Sequence, residues 1–364
     1  MASVTTIKPT TADKSASLQA RNHEARLLVA AGWEDEIPRL CQLDDKRRWP
    51  EILFFAVLWP CGAATTLLTR AYVPSAPLQW LGTAAGIFIS AIALNAFALL
   101  LHDGMHHTLL SRPWLNRWVS VLLGAPVLIS YSAYQVMHLR HHHFLGDPRD
   151  PDDYDNYSSS RWLVWLMHFV RLAVGAFLYL ALIPVLAWRR GSAQQRRNIA
   201  EEYALLGTIY VTAALLLPRE FLIWGWGLPI VVVAYMTNIR GFTQHGITNA
   251  HDPLLASRSM LVPRPVAFCL LNENFHLEHH LFPEVPSYHL PQLHERIWPR
   301  LPRAVSGRSY LAFLSRFLVA TWRLDPSPIG LVHPAAEVPG TRTLSSDPSS
   351  NGCSQALLSP LDSE

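Results

Sequence analysis

The chain of 364 residues is 50% apolar and only 16% charged, where soluble domains carry about 25% charged residues. Mean hydropathy is +0.15 even with polar ends included, and 13 Trp suit a chain with membrane–water interfaces, where Trp gathers. A soluble globular enzyme, a disordered protein and a coiled coil are excluded, and a net charge of only +3 gives no reason to expect a nucleic-acid partner.

Residues 1–49 are polar and mixed, without a signal-peptide pattern. They read as a cytosolic N-terminal segment with a helix over 12–31. Cys41, Cys61, Cys269 and Cys353 form no CxxC pair, which excludes a disulfide scaffold, a zinc ribbon and a cysteine-ligated iron–sulfur cluster. Apart from Lys8, Lys14 and Lys46, every basic residue is Arg, a bias expected of a GC-rich bacterial genome.

A membrane domain is expected over 50–310. Stretches 52–68 and 78–101 each approach the ~20 apolar residues a bilayer needs, and the short loop between them makes a helical hairpin. Stretch 118–134 is apolar but holds Gly124, Pro126 and several Ser, so it reads as re-entrant or interfacial. Stretch 162–188 is long enough to span, yet His168 and Arg171 interrupt it, and a charge at mid-span costs about 2.5–3.5 kcal/mol on insertion scales. The basic loop RRGSAQQRRN that follows (189–198) belongs on the cytosolic side. An interfacial helix or shallow hairpin is therefore expected there. Stretches 203–217 and 221–239 form a second hairpin turning at Pro218-Arg219-Glu220.

Four crossings put both termini on one side and leave Arg70 and Arg219 facing outward, in keeping with the positive-inside rule. The expected fold is an all-α integral membrane protein with four transmembrane helices in two hairpins, interfacial helices and a His-rich cytosolic cap. A C-terminal cytosolic segment follows over 311–333, then a Ser/Pro/Gly-rich tail over 334–364 that reads as disordered.

Seventeen His are the outlier, and they cluster: HDGMHH at 102–107, HLRHHH at 138–143 and HLEHH at 276–280. Helix residues three and four apart share a face. His102 with His106, His138 with His141 and His142, and His276 with His279 and His280 thus each aim imidazoles in one direction. A lone interfacial His is usually an anchor. This many imidazoles packed together without a metal would leave buried nitrogens unpaired, at high cost. Zinc sites are satisfied by three or four ligands, whereas eight or more imidazoles suit two metals, and nitrogen-rich sites with open positions suit iron and oxygen chemistry.

HxxxHH, HxxHH and HxxHH after successive hairpins resemble the membrane fatty acid desaturase superfamily of desaturases, hydroxylases and carotenoid ketolases. DPRDPDD (147–153) and HHLFPEVPSYHLPQLHE (279–295) add similar text, and the likeness covers roughly 50–300. The resemblance implies a catalytic domain there, with two iron ions held by His102, His106, His138, His141, His142, His276, His279 and His280, and by His245 in RGFTQHG as a ninth ligand.

His107 and His143 are adjacent extras, expected beside the ligands or at the surface. Asp103, Asp147, Asp150, Asp152 and Glu278 either solvate a cytosolic face or hold the second ring nitrogen of a ligand, with Asp150 and Asp152 preferred. His289 and His294 read as interfacial, and His333 as lying outside the site. Asn95, Ala96, Phe97 and Ala98 are candidates to line an acyl tunnel, with core packing the first reading for any one of them.

The resemblance also implies O2 as co-substrate and a separate ferredoxin- or cytochrome-type electron donor with its reductase. A fatty acyl or other lipid substrate is expected, in a bacterial inner membrane with the active site cytosolic. Desaturation is the first reading; decarboxylation to a terminal alkene, hydroxylation and ketolation use the same ligands. A membrane metal or haem transporter is the non-enzyme alternative, disfavoured because the spans carry few polar residues and the His lie at one rim.

Overall fold

The computed structural model describes residues 11–152, 160–246, 248, 251–301 and 306–322, without the side chains of 11–18 and 161. Helix α1 (Thr11–Ala30) and the short α2 (Ile37–Leu40) precede α3 (Asp45–Tyr72). Asp44 starts α3: its carboxylate accepts from the backbone N–H of Lys46 at 3.0 Å and Arg47 at 3.3 Å, satisfying donors a helix start otherwise leaves open. Helix α4 (Ala76–Met105) returns against α3. A Cβ on Gly62 would lie 2.8 Å from the Gly86 carbonyl oxygen, and one on Gly86 2.7 Å from that of Gly62. The two backbones meet where only glycine fits, the usual device for packing helices in lipid.

Helix α4 is the axle of the molecule, with 61% of its apolar window buried. Helix α5 (Pro113–Gly124) runs through a 3-10 turn into left-handed Leu128 (φ 64°) and then α6 (Tyr131–Phe144), the pair bent by 98°. The stretch expected to be re-entrant is thus two helices meeting at a sharp corner. Buried Glu202 fixes that corner by accepting from Ser130 Oγ and the Ser132 N–H, both at 2.8 Å, and from Ser132 Oγ at 2.5 Å.

Helix α7 (Arg161–Arg190) and α8 (Ala193–Leu216) lead to a π-helical stretch, Phe221–Gly227, that continues into α9 (Leu228–His245). One expectation changes here. Five helices are long and apolar enough to cross a membrane by length and composition: the four expected to cross, and α7, which is as apolar as α4. The basic stretch 189–198, however, is not a loop. Only Gly191 and Ser192 separate α7 from α8, because Ser192 and Gln195 form a reciprocal capping box that restarts the helix at once.

Helix α7 runs past the histidine-bearing ends of its neighbours along much of its length. Asn238 Nδ2 of α9 donates to the Leu172 carbonyl at 3.2 Å, and Arg171 stacks over Phe242 at 4.8 Å. Further along, Tyr179 meets Tyr134 at 5.8 Å, and Ile183 and Ala187 pack with Met137 of α6. Only 11% of its apolar window is buried.

The remaining helices are short: α10 (Arg264–Cys269), α11 (His276–Leu281), α12 (Leu290–Ile297) and α13 (Tyr310–Trp322). Val29 of α1 and Ile37 of α2 pack with Leu277, Leu281, Leu290 and Ile297 in one buried cluster, which ties the N-terminal segment to α11. Among the described residues the only strand pairing is a two-residue parallel bridge, Ser259–Met260 with Ser306–Gly307. Phe313 and Phe317 of α13 pack on Phe242 of α9. His333, Cys353 and the tail over 334–364 lie outside the described residues.

Candidate metal centre

Four helix ends carry the nine histidines. His102 sits in the last turn of α4 and His106 caps it; His138, His141 and His142 lie on α6, His245 ends α9, and His276, His279 and His280 lie on α11. They gather in two groups. His102, His106, His138, His142 and His279 bring ring nitrogens within 4.8 Å of one another, and so do His141, His245 and His280. His276 joins the second group, its Nε2 lying 2.9 Å from that of His245 and 3.1 Å from that of His280. The groups touch where the rings of His142 and His280 stack at 4.1 Å.

Burial pushes His276, His279 and His280 well below the ordinary 6.5, which favours the neutral imidazole. His106 and His138 oppose Nε2 atoms at 2.9 Å, as His245 and His276 do. A neutral imidazole pair shares one proton across such a contact, and nine rings in two knots cannot all be paired that way. Buried neutral nitrogens facing a common point are what a transition-metal ion needs. Five donors in one group and four in the other fit two ions.

The candidate carboxylates divide. Asp150 accepts from His141 Nδ1 at 2.9 and 3.1 Å, which leaves the Nε2 lone pair for the cluster. Asp152 stands off at 4.0 Å from the same nitrogen. Glu278 does not meet a clustered histidine: it contacts His294 Nδ1 and Ser259 Oγ. One residue on from Leu277 and one before His279 on α11, it points about 100° from its neighbours.

Asp103 is tied to Arg48 at 2.5 Å and Ser287 at 2.6 Å, and Asp147 to Arg149 at 2.7 Å. Sequence reasoning missed Glu273, which is 2% exposed and lies 3.4 Å from His102 Nδ1 and 3.9 Å from His276 Nδ1. It sits in a turn entered through left-handed Leu271 (φ 48°) and Asn272 (φ 61°). The only signal was a carboxylate three residues ahead of the HLEHH cluster.

The extras fall outside both groups. His107 is exposed, in a left-handed conformation (φ 58°), with Gln135 Nε2 3.5 Å away. His143 lies on Phe144 at 4.5 Å. His289 Nδ1–H donates to the Leu40 carbonyl at 2.8 Å. His294 lies between Phe275 at 4.7 Å and Trp298 at 4.8 Å.

A cavity opens from the histidines into the helices, lined by His102, His138, His141, His245 and His276 at one end and by Leu180, Ile183, Ile230 and Val233 further in. Of the four candidates to line it, Ala98 does so. Ala96 and Phe97 belong to the buried core, and Asn95 accepts a hydrogen bond from Arg240 Nη1 at 3.3 Å.

Comparison with known proteins identifies the family. The chain belongs to the fatty acid desaturase family, whose profile matches residues 78–313. It is 26% identical over 210 residues to the sphingolipid delta(4)-desaturase/C4-monooxygenase of Bos taurus, covering 54% of this chain. An omega-6 fatty acid desaturase of Glycine max (endoplasmic reticulum isozyme 2) is 24% identical over 68% of this chain and 73% of its own length. A delta(12) acyl-lipid conjugase of Impatiens balsamina is 24% identical over 69% of this chain and 74% of its own length. The chain spans 60% of the length of the bovine relative it matches. Family membership and the apolar helices make this an integral membrane protein of that family.

Proposed function

We propose that the protein is an O2-dependent, di-iron oxidoreductase that acts on the C–H bonds of a fatty acyl chain, and specifically a fatty acid desaturase. The observation that carries this reading is the meeting of nine imidazoles, in two touching groups, at the polar end of an apolar cavity. Iron bound by those histidines supplies, with O2, an oxidant able to take hydrogen from an unactivated C–H bond. The chain's own residues do the rest. His102, His106, His138, His142 and His279 hold one ion, and His141, His245, His276 and His280 the other. Asp150 fixes the His141 ring, Glu273 stands behind His102 and His276, and the apolar wall excludes water while it holds the acyl chain against the histidines.

Because the bovine relative's name includes a C4-monooxygenase, hydroxylation on the same ligands is the second reading. The two electrons come from a separate ferredoxin or cytochrome with its reductase.

In the bilayer, α3 with α4 and α8 with α9 cross as two hairpins. Both α4 and α9 end at the histidines, so the start of α8, and with it the end of α7, lies on that same face. A 30-residue helix is about 45 Å long. It contacts α9 and α6 near their histidines along its length, so α7 lies along the interface and the crossings number four. The histidine face is cytosolic, in a bacterial inner membrane.

The test is turnover in membranes holding the full-length protein, given isotope-labelled fatty acids, a reduced ferredoxin and O2. The reading expects an O2-dependent product lacking two hydrogens. Oxygen-independent product, or none with any acyl substrate while iron is bound, contradicts it.

A further inference from the structure

The far end of the cavity is apolar and closed. Arg171 of α7 stacks on Phe242 of α9, while Leu172 and Gly175 meet Asn238. The two helices therefore run antiparallel, and Ile183 and Ile230 fall at the same end, away from His245. Both line the cavity, with Val233 of α9 and Val127 from the corner between α5 and α6, and all four are buried. Ile129, on the other side of left-handed Leu128, adds to the same wall. None of the five is polar, so a carboxyl or hydroxyl group seated against them would lose its hydrogen bonds to water without replacement.

The corner that supplies Val127 and Ile129 is pinned from both sides. Trp226 Nε1–H, in the π-helical stretch before α9, donates to the Pro126 carbonyl at 2.7 Å, and the Tyr210 hydroxyl of α8 donates to the Ala125 carbonyl at 3.0 Å. Beyond Ile129, Glu202 of α8 holds Ser130 and Ser132. The chain turns back so closely that a Cβ on Gly124 would lie 2.4 Å from the Ile129 carbonyl oxygen. A wall held in this way does not yield to a chain pressed against it, because packed interiors transmit strain instead of absorbing it.

One position near that wall is small. Ala234 is one turn on from Ile230, about 6 Å along α9, and it is buried and faces the cavity. Its cavity-facing neighbours Ile230 and Val233 are branched and larger. A side chain the size of Leu at 234 would occupy the space just short of the closed end.

Resting on the proposed acyl-oxidising function, we infer that the α5–α6 corner, with Ile183 and Ile230, is a fixed stop for the methyl end of the substrate chain, and that Ala234 is a specificity-determining residue that keeps the last turn before the stop open. The methyl end is the part of an acyl chain that this wall accepts. The depth of the stop then selects substrates by chain length.

Competition between decanoic and palmitic acids tests this, on the full-length protein in nanodiscs under anaerobic conditions, with both acids at equal mole fraction in the bilayer. The two share a head group, so the ratio of their affinities reports the chain alone, whatever fraction of a variant is folded. Ala234→Leu should move the ratio towards decanoic acid at least about fivefold, the lower end of the cost of overfilling a packed site. Ile230→Ala, which deepens the end, should move it towards palmitic acid. In the wild-type protein, palmitic acid carrying a phenyl group on its methyl end should bind at least about fivefold more weakly than palmitic acid itself. Ratios within about twofold of wild type in both variants, a shift in the same direction by both, or equal binding of the phenyl-capped acid would each overturn the stop. Shifted ratios without any O2-dependent product would contradict the proposed function and leave the stop standing, whereas O2-dependent product with unmoved ratios would contradict the stop alone.

Discussion

Arg48 and Asp103 meet through Nη2 and Oδ2 at 2.5 Å with both side chains buried, joining the first turn of α3 to the residue beside His102. Ser287 Oγ donates to the same carboxylate oxygen at 2.6 Å, so the segment after α11 is drawn into the same knot. The contact fixes the end of α4, and with it the direction of His102 and His106, against the segment that carries His276, His279 and His280.

Breaking that pair from one side leaves a buried charge behind. Asp103→Leu or Arg48→Met alone is expected to cost about 3–5 kcal/mol, and the double variant distinctly less than the sum of the two. Unfolding in detergent, followed by tryptophan fluorescence, measures this. Additive losses would mean that the two side chains do not act on each other.

Asp150 and Glu278 were both candidate partners of ligand histidines, and they now make opposite predictions. Asp150→Ala removes the acceptor for His141 Nδ1 and should weaken iron retention about 10- to 100-fold in a chelator titration, with Asp152→Ala having the smaller effect. Glu278→Ala should instead lower thermal stability, by freeing His294 and Ser259, with iron retention changed much less. The reverse ranking would place Glu278 behind the metal.

The three histidine clusters were readable because helical spacing puts residues three and four apart on one face, and α6 and α11 keep that spacing. Glu278 points away from the clusters for the same reason: adjacency to His279 in sequence is divergence on a helix. Glu273 escaped because it enters through a left-handed turn, where no periodicity operates. Arg48 stands in a Lys-Arg-Arg run in which nothing local distinguishes it, and only the fold turns one of the three inward. The α3–α4 hairpin followed from hydropathy, whereas the start of α8 did not, since a Ser-Gln capping box inside a polar stretch outweighed the apparent loop.

His106→Ala, His142→Ala and His280→Ala should each abolish turnover, while His289→Ala retains it. The first three stand inside the two groups, and His289 Nδ1 is occupied by the Leu40 carbonyl. Full activity with full iron in any of the first three would remove that residue from the ligand set.

His245 is the single contribution of α9 to the groups. His245→Ala should lower iron towards one ion per chain and eliminate O2-dependent product without loss of membrane insertion, because the five-histidine group is left whole. Unchanged iron with a modest drop in rate would place the ring beside the metal instead of on it.

The central claim is that the nine imidazoles hold a pair of iron ions, and the most direct test is metal analysis of the purified full-length protein combined with Mössbauer spectroscopy of an iron-57-enriched sample. The account predicts about two iron per chain in nitrogen-rich sites. A single zinc per chain, or a haem spectrum, would contradict it.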